Sequence, residues 1–139
     1  MTDINYNSIA VDGSCCPNPG DMEYRGVDLT TNQELFRVGP IPHGTSNIAE
    51  YIAIVDALKV LKESGDNDKV IYSDSVTAIR WVKDKRPNTT IKYGNDTKEV
   101  FRLLNEATAW LKSNKIKNNI FKWRTYHWGE NPADFGRKN

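Results

Sequence analysis

The sequence predicts a mixed α/β fold, one five-stranded sheet in the order 3-2-1-4-5 flanked by helices. Three observations lead there. Apolar runs of strand character alternate with stretches of helical period. The first three strands follow one another through short connections. The last two are each reached through helical segments. Short links make an antiparallel meander, whereas a helical crossover delivers a strand parallel to its predecessor. Strands one, four and five are therefore expected side by side and parallel.

Residues 7–12 form the first strand. Ile9, Ala10 and Val11 carry Asp12 to a turn dense in Pro and Gly, Cys15-Cys16-Pro17-Asn18-Pro19-Gly20, a composition suited to a tight reversal where a ligand comes close. Met22 to Leu29 and Glu34 to Val38 are strands two and three, joined by Thr30-Thr31-Asn32-Gln33. Gly39 to Gly44 reads as a loop. Thr45 or Ser46 then caps a helix running to about Ser64, with Tyr51, Ile54, Val55, Leu58 and Leu61 at helical spacing. Ala49, Ala53 and Ala57 form a small-residue stripe that lets this helix lie close to a sheet. Gly65-Asp66-Asn67-Asp68 ends it.

Val70 to Ser73 is a short buried strand, and a helix follows from Ser75 to about Asp84. Residues 85–95 are a basic, polar loop. Asp96 or Thr97 starts a helix carrying Val100, Leu103, Leu104, Ala107 and Leu111. Ile120 to Trp123 is strand five, and Asn131 caps a last short helix with Pro132 at its first position. Trp81, Trp110, Trp123 and Trp128 fall mostly on core positions. Trp81, beside the basic run, either stacks on a sugar face or packs under the loop.

A chain of 139 residues fits one domain, 1–139, with a core large enough to fold alone. Hydrophobic residues at 38% and charged residues at 27% are ordinary for a soluble globular protein. No 18-residue apolar run marks a membrane span. Residues 1–7 lack the basic and apolar regions of a signal peptide, so a cytoplasmic location is expected. The two cysteines, Cys15 and Cys16, are adjacent. Neighbours bridge poorly and two thiols make no zinc site, so both are expected as reduced bystanders.

The net charge of +1 hides an asymmetry. Residues 1–68 hold 4 Lys/Arg against 11 Asp/Glu, and residues 69–139 hold 15 against 7. Such a division fits a polyanion-binding surface beside a cation site, or two solvated faces without a role.

The acids fall in a pattern. Ligands of open α/β sheets bind beyond the carboxyl ends of the parallel strands. Asp12 closes strand one, Asp74 closes strand four, and Asp134 follows strand five. Glu50 lies near the start of the alanine-striped helix, and Glu130 precedes Asp134 by one helical turn. Five carboxylates converge only around a cation, because like charges at such range repel. All-oxygen ligation selects hard ions, Mg²⁺ or Mn²⁺. Two such ions about 3.5–4 Å apart are the usual device for displacement at phosphorus.

Four segments now carry a resemblance: Val11-Asp12-Gly13-Ser14 with Asn18-Pro19-Gly20, Asn47-Ile48-Ala49-Glu50, Tyr72-Ser73-Asp74-Ser75, and Trp128-Gly129-Glu130-Asn131-Pro132-Ala133-Asp134. In this order, spread over nearly the whole chain, they resemble ribonuclease H of the bacterial type-one family. The closing Trp-Gly-Glu before the Asp is most similar to catalytic domains that normally follow an N-terminal hybrid-binding domain, which is not expected in this sequence. The resemblance implies an endonuclease that cuts the RNA strand of RNA–DNA hybrids with two Mg²⁺ ions, leaving 5′-phosphate and 3′-hydroxyl ends. It makes Asp12, Glu50, Asp74 and Asp134 metal ligands and places Glu130 near the second ion, helping product leave. It sets Asn18, Glu50 and the 13–18 turn, Ser14 included, against RNA 2′-hydroxyls. It gives Thr45, Asn47, Thr89 and Thr125 a phosphate of the DNA strand.

The chain departs from the family at several points. Val76 stands where Gln is usual and cannot bond a 2′-hydroxyl. Pro17 has no N–H to donate. Arg124 occupies the place of a mobile His, so Glu130 is a better candidate than His127, which reads as a loop His. The extra basic helix of some members is missing between 85 and 96. Arg80, Lys83, Lys85, Arg86 and Lys92 are left as the local positive charge, contacting a backbone or ending a solvated helix. The expected partner is an RNA–DNA hybrid, with no membrane, no obligate protein partner and a monomeric state. The alternatives are a non-cleaving hybrid or RNA binding module of the same fold, or a nuclease for DNA.

Overall fold

Residues 3–134 are described in the computed structural model. The elements run β1 (Ser8–Cys15), β2 (Gly20–Asp28), β3 (Gln33–Gly44), α1 (Ser46–Ser64), β4 (Val70–Ser73), α2 (Val76–Asp84), α3 (Lys98–Ser113), β5 (Ile120–Lys122) and α4 (Thr125–Trp128). The sheet order is β3-β2-β1-β4-β5. β1 pairs antiparallel with β2 and parallel with β4; β4 pairs parallel with β5. The expected strand order and directions are those observed.

The central helix explains the close approach of the site's elements. The Thr45 side chain accepts from the Ile48 N–H and caps α1, while Gly65, in the left-handed region at φ 70°, closes its other end. Ala49, Ala53 and Ala57 are fully buried. Gly13 on β1 lies directly beneath: a Cβ there would stand 2.6 Å from the Glu50 nitrogen and 2.7 Å from the Ala49 Cβ. Any side chain at 13 would push helix and strand apart.

Alternation along β1 divides the core between the two faces of the sheet. Ile9 and Val11 join the larger cluster with α1, α2 and α3, including Tyr51, Leu58, Ile71, Trp81 and Leu104. Ala10 joins Val27, Tyr72, Trp123 and Ala133 on the other face. Trp81 is 7% exposed and meets Tyr51 edge-on at 5.9 Å, so it packs into the core. Among the described residues no helix is long and apolar enough to cross a membrane.

Several boundaries differ from expectation. β1 does not break at Asp12 but runs on to Cys15, because β2 continues to pair with it as far as Cys15↔Met22 after β4 has ended. β3 extends through the expected loop 39–44. Pro40 and Pro42 are tolerated because β3 is an edge strand, where a missing N–H breaks no ladder, and the pairing with β2 is irregular around Met22. β5 ends at Lys122, although the Trp123 N–H still bonds the Ser73 carbonyl at 2.8 Å. The last short helix is at Thr125–Trp128, whereas residues 131–134 form a turn. The rest of the helix expected after Asn131, residues 135–139, lies outside the described residues.

Candidate metal centre

Three elements each bring one carboxylate to a common point. Asp12 lies within β1 and is 4% exposed; Glu50, in the second turn of α1, is also 4% exposed; Asp74 follows β4 and is half-buried. One oxygen from each lies within 4.8 Å of the others. Two unit charges about 4 Å apart repel by about 4 kcal/mol at an effective dielectric of about 20. Such a group therefore needs protons or a cation.

Glu50 is aimed by two donors. The Gly13 N–H donates to Oε1 and the Ser73 hydroxyl to Oε2, each at 2.7 Å. Ser73 Oγ in turn accepts from the Ser75 N–H at 3.1 Å. Burial holds the Glu50 carboxyl well above the usual range, and the hydrogen bond and charge of Asp12 push the same way; the Ser73 and Gly13 donors pull it down. Protonation and a bound cation are alternative ways of relieving this pair. The donor set is all oxygen, which suits a hard divalent ion, so the residues present fit such an ion.

Asp74 is held from the other side. Thr125 Oγ1 donates to its Oδ1 at 3.3 Å and Asn131 Nδ2 to its Oδ2 at 3.1 Å. The three carboxylates open onto a cleft of about 630 Å³, also lined by Asn47, Val76, Lys122, Thr125, Glu130 and Asn131. Glu130 stands exposed on this cleft. Asp134 is half-buried and its N–H donates to the Asn131 carbonyl at 2.8 Å. Among the described residues it is not one of the carboxylates gathered within 4.8 Å.

The expected substrate residues divide. Asn47 and Thr125 line the cleft. Asn47 Oδ1 accepts from the Ser75 hydroxyl at 3.3 Å, which leaves its amide N–H groups for other partners. Thr45, Thr89, Ser14 and Asn18 are not among the cleft-lining residues. Thr45 is occupied as the cap of α1 but retains a hydroxyl proton. Thr89 Oγ1 accepts from the Ile91 N–H at 3.2 Å in the 86–93 loop. Ser14 is buried on β1 and its hydroxyl has no hydrogen-bond partner. Asn18, at the exposed turn, donates to Ser46 Oγ at 3.0 Å and accepts from the Ser46 N–H at 3.3 Å, tying the 17–19 turn to the start of α1.

His127 is exposed with its ring against Tyr126, and Val76, 61% exposed, presents an apolar surface in the cleft. Arg80 pairs with Asp84 at 3.6 Å. Three contributors escaped sequence reasoning. Ser73 and Asn131 stood inside the motif segments without a role of their own, Asn131 also as a cap, and Lys122, which lines the cleft, read only as a strand residue. A small hydroxyl next to Asp74 in a buried strand is the one signal that pointed to any of them.

Residues 5–133 match the family model described as RNase H. A ribonuclease H from Acetivibrio thermocellus is 35% identical over 86 residues, covering 58% of this chain and 57% of its own length. A ribonuclease H from Ehrlichia canis is 34% identical over 82 residues, covering 59% of this chain and 52% of its own. This chain thus spans about half the length of the curated relatives it matches. The solved structure of LC11-RNase H1 in complex with an RNA/DNA hybrid is 24% identical, with 86% of each chain covered and a TM-score of 0.49.

Proposed function

The chain belongs to the ribonuclease H family, and from that premise we propose that it cleaves the RNA strand of RNA–DNA hybrids at the Asp12–Glu50–Asp74 centre. The observation that carries this reading is the convergence of three carboxylates from β1, α1 and the end of β4 within 4.8 Å, on the floor of an open polar cleft. A catalytic centre is a better account of that cost than a binding surface, since a module that only held phosphates would gain nothing from acids facing them.

Asp12, Glu50 and Asp74, with Asp134, would hold two Mg²⁺ ions; Mn²⁺ suits the same oxygens. When bound, such ions would neutralise the negative charge developing on the phosphate oxygens and lower the pKa of water. The chain's own groups then do the rest. The Gly13 and Ser73 donors keep Glu50 pointed at the centre, and the Thr125 and Asn131 donors do the same for Asp74. Asn47 and Thr125, with Thr45 and Thr89, offer hydroxyl and amide donors to a phosphate of the DNA strand. Asn18, Glu50 and the 13–18 backbone meet RNA 2′-hydroxyls, which separate RNA from DNA at the cut. Water adds to phosphorus, the bond to the 3′-oxygen breaks, and the ends are a 5′-phosphate and a 3′-hydroxyl. Glu130, at the cleft rim, assists departure of the 5′-phosphate product.

The test is a uniformly labelled hybrid incubated with Mg²⁺, with single-stranded RNA and an all-DNA duplex alongside. The expected result is cutting of the hybrid's RNA strand alone. Asp12→Asn and Asp74→Asn should abolish cutting while hybrid binding survives. Near-full activity in either variant overturns the assignment, and a mobility shift without fragments from the unaltered chain favours a binding module instead.

A further inference from the structure

The side chain of Asn131 makes three hydrogen bonds while being 4% exposed. Its Oδ1 accepts from the Ala133 N–H at 2.8 Å. Its Nδ2 donates to the Val11 carbonyl at 2.9 Å and to Asp74 Oδ2 at 3.1 Å. Only one orientation of the amide satisfies all three, because the Ala133 N–H requires an oxygen and the other two partners require N–H.

The bond to Ala133 alone would be an ordinary Asx turn, a local device that needs nothing from the far end of the amide. Here that far end reaches two elements distant in sequence. One is the carbonyl immediately before Asp12; the other is the Asp74 carboxylate. The turn itself is seated independently. Arg25, the cross-strand neighbour of Asp12, donates Nε to the Ala133 carbonyl at 2.8 Å and Nη2 to the Pro132 carbonyl at 3.0 Å. Ala133 is fully buried in the cluster with Ala10 and Trp123. Asn131 is therefore not needed merely to hold the turn against the sheet.

We propose that Asn131 is a positioning residue of the metal centre: its amide fixes the rotation of the Asp74 carboxylate and locks it in register with the strand that carries Asp12. A carboxylate held by a donor on each oxygen presents its remaining lone pairs in one direction. One released on the Oδ2 side turns about its terminal bond at little cost. Groups that orient metal ligands in this way are worth about 10–100-fold in metal affinity. The inference rests on the reading that the three carboxylates hold a divalent ion.

The experiment measures Mn²⁺ binding by calorimetry to the unaltered chain, Asn131→Ala and Asn131→Ser, together with thermal unfolding in EDTA and the Mg²⁺ dependence of hybrid cleavage. Serine keeps a hydroxyl acceptor for the Ala133 N–H but is too short to reach Asp74, so it preserves the turn and removes the positioning contact. Asn131→Ser is expected to weaken Mn²⁺ binding about 10–100-fold. The Mg²⁺ concentration for half-maximal cleavage should rise in parallel, with KM for the hybrid changed less than about threefold and the melting temperature in EDTA lowered by only about 4 °C or less. Asn131→Ala should lose the same affinity with a larger fall in melting temperature. Mn²⁺ binding by Asn131→Ser equal to that of the unaltered chain overturns the positioning role. Absence of Mn²⁺ binding by the unaltered chain overturns the metal reading, and the inference with it.

Discussion

Ser73 donates its hydroxyl to Glu50 Oε2 at 2.7 Å, so the residue before one metal-ligand candidate aims another. β4 thereby sets the orientation of a carboxylate on α1 as well as delivering Asp74. Ser73→Ala removes a donor that favours ionised Glu50 and leaves the Ser75 N–H without its acceptor. The expected cost is about 1–3 kcal/mol of stability, read by urea denaturation at neutral pH without divalent ions. Cleavage at limiting Mg²⁺ should fall about tenfold. Ser73→Thr keeps the hydroxyl and should retain most of both. An alanine variant with unaltered stability and Mg²⁺ dependence would show that Glu50 is held by Gly13 alone.

Gly13 is the point where β1 and α1 touch backbone to backbone. The Cβ of Gly13→Ala would meet the Glu50 nitrogen at 2.6 Å and the Ala49 carbonyl carbon at 2.8 Å, neither of which is the mobile end of a side chain. Helix and strand must separate, and Asp12 and Glu50 separate with them. The expected loss is on the order of 3 kcal/mol or more, from overpacking in a dense core. Circular dichroism melting of Gly13→Ala beside Gly26→Ala checks it. At Gly26 the added Cβ meets the Phe36 ring at 2.5 Å, a half-buried side chain with room to swing. A smaller loss at 13 than at 26 would contradict the close contact.

The carboxylate group also sets the sign of two stability changes. A ligand that binds only the folded chain stabilises it by about 2.7 kcal/mol at a hundredfold excess over its dissociation constant. At about 3 °C per kcal/mol, Mg²⁺ or Mn²⁺ should raise the melting temperature by roughly 8 °C. Asp12→Asn should lose most of that rise, yet melt higher than the unaltered chain in EDTA, because it relieves the repulsion and the charge that hold the Glu50 carboxyl up. Differential scanning calorimetry with and without EDTA reads both. A lower melting temperature for Asp12→Asn in EDTA would mean that the cluster is not under electrostatic load.

Much of this was legible in residue order, and the failures have physical reasons. The period of α1 and the apolar runs of β1 and β4 mark their elements because burial on one side imposes a pattern. The strand directions follow from connection lengths, whereas β4 lying beside β1 and not β3 is what the family resemblance implied. Asp74 at the end of β4 and Glu50 near the start of α1 stand where the sequence placed them, whereas Asp12 lies within β1, two residues past the last one paired to β4. What pattern did not carry was pairing beyond the turn signals. Pro40, Pro42 and Gly44 look like a loop, but an edge strand needs N–H groups on one side only. Asn131 preceding Pro132 has the form of a helix cap. Nothing local distinguishes an amide that bonds its own turn from one that also reaches Val11 and Asp74, 120 and 57 positions away. Ser14, read as a substrate contact from its motif, is buried because β1 continues past Asp12.

Away from the cleft, Asp56 carries a titration with a definite sign. Its Oδ2 accepts from the Tyr24 hydroxyl at 2.8 Å, and Lys59 stands 3.8 Å away. Burial raises the Asp56 carboxyl above its ordinary value of 3.8, and the charge of Glu106 adds to the rise; the Tyr24 bond and Lys59 oppose it. Burial and the Asp56 charge push the Tyr24 phenol upward in turn, so it stays protonated through the acid and neutral range. With a raised value in the folded state, the native chain binds the proton more tightly than the unfolded chain does. The stability Asp56 contributes is full below pH 3.8 and declines as pH rises through its folded value. Asp56→Asn keeps an oxygen for the Tyr24 hydroxyl and removes the titration. Relative to the variant, the unaltered chain should therefore lose stability as pH increases from about 3.5 towards 7. Urea denaturation across that range, in EDTA to keep the metal centre out of the comparison, gives the difference directly. A constant difference, or one that grows in favour of Asp56 as pH rises, would mean that Lys59 and the Tyr24 bond outweigh burial at this site.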